Sequence, residues 1–306
     1  MTSPVRRVGI DVGGTKALGV ALGTAGEVVA EVQRPTPRGD DSLEPLVATL
    51  ADIARSLEAD ASIGVGVPGL VNRNGVLRAA PNLDGVADLA VGRLLGERLG
   101  IDVHVDNDAT CATVAEWRNG AARGVDDLVV VTLGTGIGGG VVVGGRLQRG
   151  ANGFAGEFGH MVIDPNGPRC PCGRRGCWER YASGSGLAML AREAATGQRL
   201  HSVVRHAGGD PQAVRGEHVM AAALDGDAEA LSVIDDFGRW VALGLSNLTN
   251  ALDPAMFVLG GGLAAGSELY LGPIERWFAE LLYQPELRSL PSVAFARWGH
   301  LAGAVG

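Results

Sequence analysis

Apolar positions along the chain follow two rhythms. Short apolar runs end in glycine or an acid, and longer stretches repeat apolar residues three and four apart. Val8-Gly9-Ile10 and Leu18–Leu22 flank Asp11-Val12-Gly13-Gly14-Thr15-Lys16, which predicts two strands joined by a glycine turn. Leu46, Val47, Leu50, Ile53, Ala54 and Leu57 carry helical spacing, with Asp41 placed to cap that helix and Pro45 in its first turn. Ile63–Val67 reads as a buried strand, Leu89–Leu99 as a helix closed by Gly100, and Val103–Val105 as a strand running into Asp106-Asn107-Asp108. A helix from Ala109 through Trp117 follows. Leu128–Thr132 and Val141–Val143 are strands on either side of the glycine-rich stretch Leu133–Gly140, a second unit of the first hairpin's design. Beyond it, Ser183–Ala195, Val219–Leu224 and Ala228–Leu252 read as helices. In the last of these, Phe237, Trp240, Val241, Leu245, Leu248 and Leu252 form one apolar face of core type. Asp253-Pro254 stops that helix, and Met256–Leu259 is a strand ending in Gly260-Gly261-Gly262. Strands alternating with helices predict an α/β protein.

Composition narrows the function classes. The 306 residues are 46% hydrophobic and 20% charged, as expected of a globular α/β chain large enough for two domains. A net charge of −8 argues against a nucleic-acid partner, which calls for a basic face. No apolar run is long enough to span a membrane, and Met1–Arg7 lacks the apolar middle of a secretory signal. The expectation is a cytoplasmic enzyme. The 48 glycines cluster in loops after apolar runs, where backbone comes close to a ligand.

The candidate chemistry lies in those loops. Gly13, Gly14, Thr15 and Lys16 offer backbone N–H groups, a hydroxyl and a cation to a phosphate. Thr135 and Gly136 sit in the matching turn, so the pair suggests two clamps on one polyphosphate. Neither turn has Walker A spacing, and a strand rather than a helix follows each, which excludes the dinucleotide fingerprint. Gly260, Gly261 and Gly262 could let a base or ribose lie against backbone. Asp108, at a strand end where ligands gather in α/β folds, is the candidate general base. His160, Cys170, Cys172 and Cys177 form a Cys3His set of the kind that holds structural zinc. Glu157 and Glu179 flank that set, which predicts a substrate pocket with a zinc staple behind it.

Taken together, these motifs resemble the ROK family of sugar kinases, and within it the ATP-dependent glucokinases of bacteria. The resemblance runs in order through Asp11-x-Gly-Gly-Thr-Lys16, Gly-Val-Pro-Gly69, Asn107-Asp108-Ala109 and Leu-Gly-Thr-Gly-x-Gly-Gly-Gly140. It continues through Glu157-x-Gly-His160, Cys170-x-Cys-Gly-x-x-Gly-Cys177-x-Glu179 and Gly260-Gly-Gly262. It implies the actin-like, ribonuclease-H-like fold, two α/β domains around a cleft. Residues 1–110 with the tail 291–306 would form the small domain, and 111–290 the large one containing the zinc element. It implies ATP with Mg2+, a structural Zn2+, a hexose substrate and a homodimer or homotetramer. Asp108 would take the proton of the sugar 6-hydroxyl. Gly69, Asn82, Asn107, Glu157, His160 and Glu179 would line the sugar site. Asp11 would sit near Mg2+ through water, the two glycine turns would hold phosphates, and Gly260–Gly262 would border the adenosine. His160 would use one ring nitrogen on zinc and the other on sugar.

The same family contains sugar-responsive repressors with a winged helix ahead of the first motif; ten residues precede Asp11, fewer than such a domain takes. Among kinases, glucose is the expected acceptor, with N-acetylmannosamine, N-acetylglucosamine and mannose as rivals.

Overall fold

The computed structural model describes residues 7–38, 43–80, 88–197 and 199–306. Two compact units emerge: Met1–Gly124 with Gly139–Gly156 and His300–Gly306, and Val125–Gly138 with Glu157–Gly299. The first unit begins with β1 (Arg7–Val12), β2 (Lys16–Leu22), β3 (Val28–Pro35), α1 (Leu43–Ser56), β4 (Ser62–Val67), β5 (Leu70–Val71) and β6 (Leu77–Ala79). It goes on with α2 (Val91–Leu99), β7 (Asp102–Asn107) and α3 (Asp108–Asn119). Strand β8 (Leu128–Leu133) opens the second unit, β9 (Ile137–Val143) carries the chain back, and β10 (Arg146–Gln148) pairs antiparallel with β9. The second unit then holds α4 (Glu179–Ala182), α5 (Gly184–Thr196), α6 (His201–His206), α7 (Gly216–Leu224), α8 (Ala228–Leu252), β11 (Met256–Gly260), α9 (Ser267–Leu281) and β12 (Ser292–Phe295). The last helix, α10 (Ala302–Val305), returns to the first unit.

In the first unit the sheet order is β3-β2-β1-β4-β7. β1 and β2 pair antiparallel across the predicted glycine turn, whereas β1–β4 and β4–β7 are parallel. Parallel strands buried on both faces should read as continuous apolar runs, and Val8, Ile10, Ile63 and Val65 are all buried. The apolar stripe of α1 packs on them through Leu46, Leu50 and Ile53. Helix α2 ends at Gly100 in the left-handed conformation, whose N–H donates to the Gly96 carbonyl, a C-cap that favours glycine. Helix α3, which runs through the expected domain boundary at residue 110, stays whole in this unit.

In the second unit β11 pairs parallel with both β8 and β12, with Val258 opposite Val130 and Ala294. Helices α8 and α9 cover this sheet, burying Phe237, Leu245, Tyr270 and Phe278. Among the described residues no helix is long and apolar enough to cross a membrane.

Three elements differ from the sequence expectation for identifiable reasons. Strand β9 starts at Ile137 rather than Val141, because three of the predicted loop glycines are strand residues. A Cβ on Gly140 would lie 2.5 Å from the Thr113 hydroxyl on α3, so packing selects glycine there. Helix α9 carries Pro273 in its interior, a breaker signal that hid it from sequence reasoning. Pro273 seats against Gly238 of α8, where a Cβ would come within 2.7 Å of the proline ring. A short helix, α4, precedes the helix expected from Ser183, which is α5, with the Ser183 hydroxyl accepting the Gly186 N–H as its N-cap. The Asp41 cap lies outside the described residues.

Candidate functional site

The junction of β7 and α3 carries the candidate base. Three consecutive polar side chains tie its backbone. Asp106 Oδ1 accepts the Asn107 N–H at 2.9 Å, Asn107 Oδ1 accepts the Thr110 N–H at 3.0 Å, and Asp108 Oδ1 accepts the Ala109 N–H at 2.8 Å. The cap is therefore Asn107, and the helix starts at Asp108 rather than Ala109. Asn107 Nδ2 also donates to the Gly69 carbonyl at 3.1 Å, so the expected sugar ligand serves two backbone groups. Gly69 has φ +107, and a Cβ there would lie 2.1 Å from the Ala79 carbonyl oxygen; only glycine fits.

Burial pushes the Asp108 carboxyl above its ordinary value, which makes it a stronger base once ionised. Asp11, at the end of β1, is pushed up to about 7, first by desolvation and then by the charge of Asp108, with Lys16 pulling the other way. Two desolvated carboxyls, one of them raised further by the charge of the other, suit a nearby cation. Next to Asp11 the turn is braced from outside: Thr36 Oγ1 donates to the Gly13 carbonyl at 2.7 Å, and Arg38 Nε to the Gly14 carbonyl at 2.9 Å. Thr15 and Lys16 are exposed. Sequence reasoning missed Thr36 and Arg38, which lie a strand away from any motif. It also drew little from Asp106, whose Oδ2 accepts from Arg149 Nε at 2.8 Å.

The second unit gathers the zinc set and its flanking glutamates. The ligand atoms of His160, Cys170, Cys172 and Cys177 all lie within 4.8 Å of one another. His160 Nδ1 is 3.9 Å from Cys170 Sγ, and Cys172 Sγ is 3.6 Å from Cys177 Sγ. A tetrahedral zinc with bonds of about 2.3 Å to sulfur calls for donor separations of about 3.7 Å. The donor set and spacing fit that cation. His160 presents Nδ1 to the sulfurs, while its Nε2 lies 3.9 Å from Glu157 Oε2. The cysteine segment is a small hairpin, with the Cys170 N–H donating to the Arg174 carbonyl and left-handed glycines at 173 and 176.

The hairpin leads directly to Glu179. Trp178 is fully buried, its Nε1 donates to the Trp240 carbonyl at 2.8 Å, and its ring lies on Gly244 of α8. With Trp178 fixed, Glu179 Oε2 accepts the Ile137 N–H at 3.0 Å, beside the second glycine turn. A Cβ on Gly136 would lie 2.3 Å from that carboxylate, and one on Gly159 would lie 2.4 Å from the Ile137 carbonyl oxygen. Glu179 and Gly159, the glycine of the Glu157–His160 segment, thus both lie against Ile137.

A cavity of about 1280 Å³ opens in the same unit, lined by Gly134, Thr135, Ser185, Met189, Met220 and Gly262, with Arg180 among the polar groups. Ser185 Oγ donates to the Thr135 carbonyl and the Gly184 N–H to the Gly134 carbonyl, which fixes the turn against the start of α5. Gly261 has φ +84 and packs on the end of β8, so Gly262 is carried to the cavity wall. Of the expected site residues, Asp11, Gly13, Gly14, Thr15, Lys16, Gly69, Asn107 and Asp108 belong to the first unit. Thr135, Gly136, Glu157, His160, Cys170, Cys172, Cys177, Glu179 and Gly260–Gly262 belong to the second. Asn82 lies outside the described residues.

Two α/β units, each with a strand–glycine–strand turn, with an acid pair in one and a Cys3His hairpin in the other, define a protein of the actin-like ATPase fold. The ROK family profile matches residues 7–306, and the chain belongs to that family. A glucokinase of Streptomyces coelicolor is 34% identical over 302 residues, 98% of this chain and 95% of that protein. An N-acetylmannosamine kinase of Escherichia coli is 32% identical, covering 97% of this chain and 95% of its own length. A crystal structure of a ROK glucokinase from Streptomyces griseus, in complex with glucose and AMPPNP, superposes with a TM-score of 0.87 at 34% identity, covering 98% and 97% of the two chains.

Proposed function

We propose that this protein transfers the terminal phosphoryl group of ATP to the 6-hydroxyl of glucose. The observation that carries the reading is the buried, raised carboxyl of Asp108 at the β7–α3 junction, in a chain similar over its whole length to a glucokinase bound to glucose and a nucleotide. A sugar hydroxyl is a poor nucleophile at neutral pH, and phosphoryl transfer asks mainly for alignment, charge neutralisation and one proton acceptor. Asp108 accepts the 6-hydroxyl proton. Asn107, Glu157, His160 and Glu179 orient the sugar through its other hydroxyls, and Gly69 lines the same site. Gly13–Lys16 and Thr135–Gly136 hold the phosphates, with Gly260–Gly262 beside the adenosine.

Asp11 would hold, through water, the Mg2+ carried in with the nucleotide, which would supply positive charge at the phosphates. His160, Cys170, Cys172 and Cys177 would hold a structural zinc, which would fix the hairpin; His160 would then turn Nε2 to the sugar, with Trp178 and Glu179 kept in register. The reduced thiols such a site needs favour a reducing compartment such as the cytoplasm.

The test is ADP release with ATP-Mg2+ against glucose, mannose, N-acetylglucosamine and N-acetylmannosamine, with the phosphorylated position read by NMR. Glucose is expected to give the highest kcat/KM and a 6-phosphate product. Turnover confined to an N-acetyl sugar would move the acceptor to the reading that the E. coli relative favours. Sugar binding without turnover would replace the kinase with a sensor.

A further inference from the structure

Arg180 follows Glu179 on α4, and its backbone is held on both sides. Its N–H donates to the Cys177 carbonyl at 2.9 Å, and its carbonyl packs against Gly186, where a Cβ would come within 3.0 Å. Its side chain is a different case. The Nε atom is buried and has no hydrogen-bond partner among the described residues, and the guanidinium makes no ion pair with any of them. Arg180 as a whole is half-buried, and a buried N–H donor without a partner is uncommon in native proteins and points to a group that arrives later. Arg180 lines the cavity of the second unit together with Gly134, Thr135, Ser185 and Gly262. The other two arginines there are engaged: Arg192 Nε donates to the Val214 carbonyl at 2.8 Å, and Arg215 pairs with Glu217 at 3.4 Å.

We infer that Arg180 binds an anionic oxygen of the donor's phosphate chain and is a further binding residue for the nucleotide. The inference rests on the reading that this cavity takes ATP. A planar guanidinium with five donors matches phosphate oxygens better than it matches a ribose or a purine edge. It shares the cavity wall with Gly134 and Thr135 of the second glycine turn, whose Ile137 N–H is held by the neighbouring Glu179. An arginine present only to cover apolar surface with its stem would leave nucleotide affinity unchanged on loss of its head group.

The experiment compares the wild-type protein with Arg180→Met, which keeps the apolar stem, and Arg180→Lys, which keeps the charge. Calorimetry with adenosine, AMP and ADP is combined with steady-state KM values for ATP and glucose. Arg180→Met is expected to weaken ADP binding and raise the ATP KM by about 10- to 100-fold. Adenosine affinity and the glucose KM stay within about twofold, and Arg180→Lys recovers part of the loss. ADP affinity unchanged in Arg180→Met would overturn the inference, as would an equal loss for adenosine. A wild-type protein that binds no ADP would remove the ATP reading itself, and this inference with it.

Discussion

Asp11 and Asp108 show how far single residues depart from their free behaviour here. Burial raises both, and the charge of Asp108 raises Asp11 further. For Asp11 the consequence for stability has a definite sign. Below pH 4 the group is neutral in both folded and unfolded chains and no penalty arises. As pH rises from its ordinary value of 3.8 toward about 7, the unfolded chain releases its proton first, so folding loses stability across that window and levels off above it. In EDTA, unfolding free energies of the wild type are expected to fall relative to Asp11→Asn between pH 4 and 7, by on the order of a few kcal/mol. Parallel curves for the two proteins would refute the shift. Asn107 was legible as polar and well placed. Its actual work, capping Thr110 and holding Gly69, depends on a loop 38 residues away in sequence and could not be read from spacing.

The Cys3His hairpin is the element on which the proposed chemistry of the second unit depends. Without a cation its thiols are poorly placed to ionise: burial pushes Cys177 up to about 12 and raises Cys170, while a hydrogen bond from the Arg174 backbone lowers the exposed Cys172. A bound metal displaces these protons and converts the cluster into a fixed support for Trp178 and Glu179. Cys172→Ser is expected to lower zinc content below one per chain, reduce the melting temperature and raise the glucose KM by tenfold or more, an order-of-magnitude expectation for a lost ligand-orienting partner. Metal analysis with steady-state kinetics checks this; a zinc-free variant with wild-type KM would make the hairpin dispensable. The hairpin was legible in sequence because Cys-x-Cys-x4-Cys ten residues after His160 has no ordinary core explanation. The two strand–glycine turns were legible too. Strand β3 was passed over although its residues alternate, since no turn motif drew attention to it, and helix α9 was masked by Pro273.

At the scale of the whole molecule, the α/β class and the order of motifs followed from the sequence, while the division into units did not. The chain crosses between units several times, through β9 and again before α10, and linear spacing carries no trace of such returns. The tail shows the point. The resemblance implies that the whole tail 291–306 joins the small domain; residues 300–306 do belong to the first unit, with the Ala304 carbonyl so close to Gly9 that a Cβ there would overlap it, whereas β12 belongs to the second. On the proposed function the molecule is a hexokinase whose base is Asp108. The measurement that tests it most directly is glucose-dependent ADP release by the wild type and by Asp108→Asn, with glucose affinity measured on both by calorimetry. The account predicts robust turnover by the wild type, a loss of about 10²- to 10⁴-fold in kcat for the variant, and glucose affinity within severalfold of the wild type. A variant that turns over near the wild-type rate, or a wild type whose ADP release ignores glucose, would contradict it.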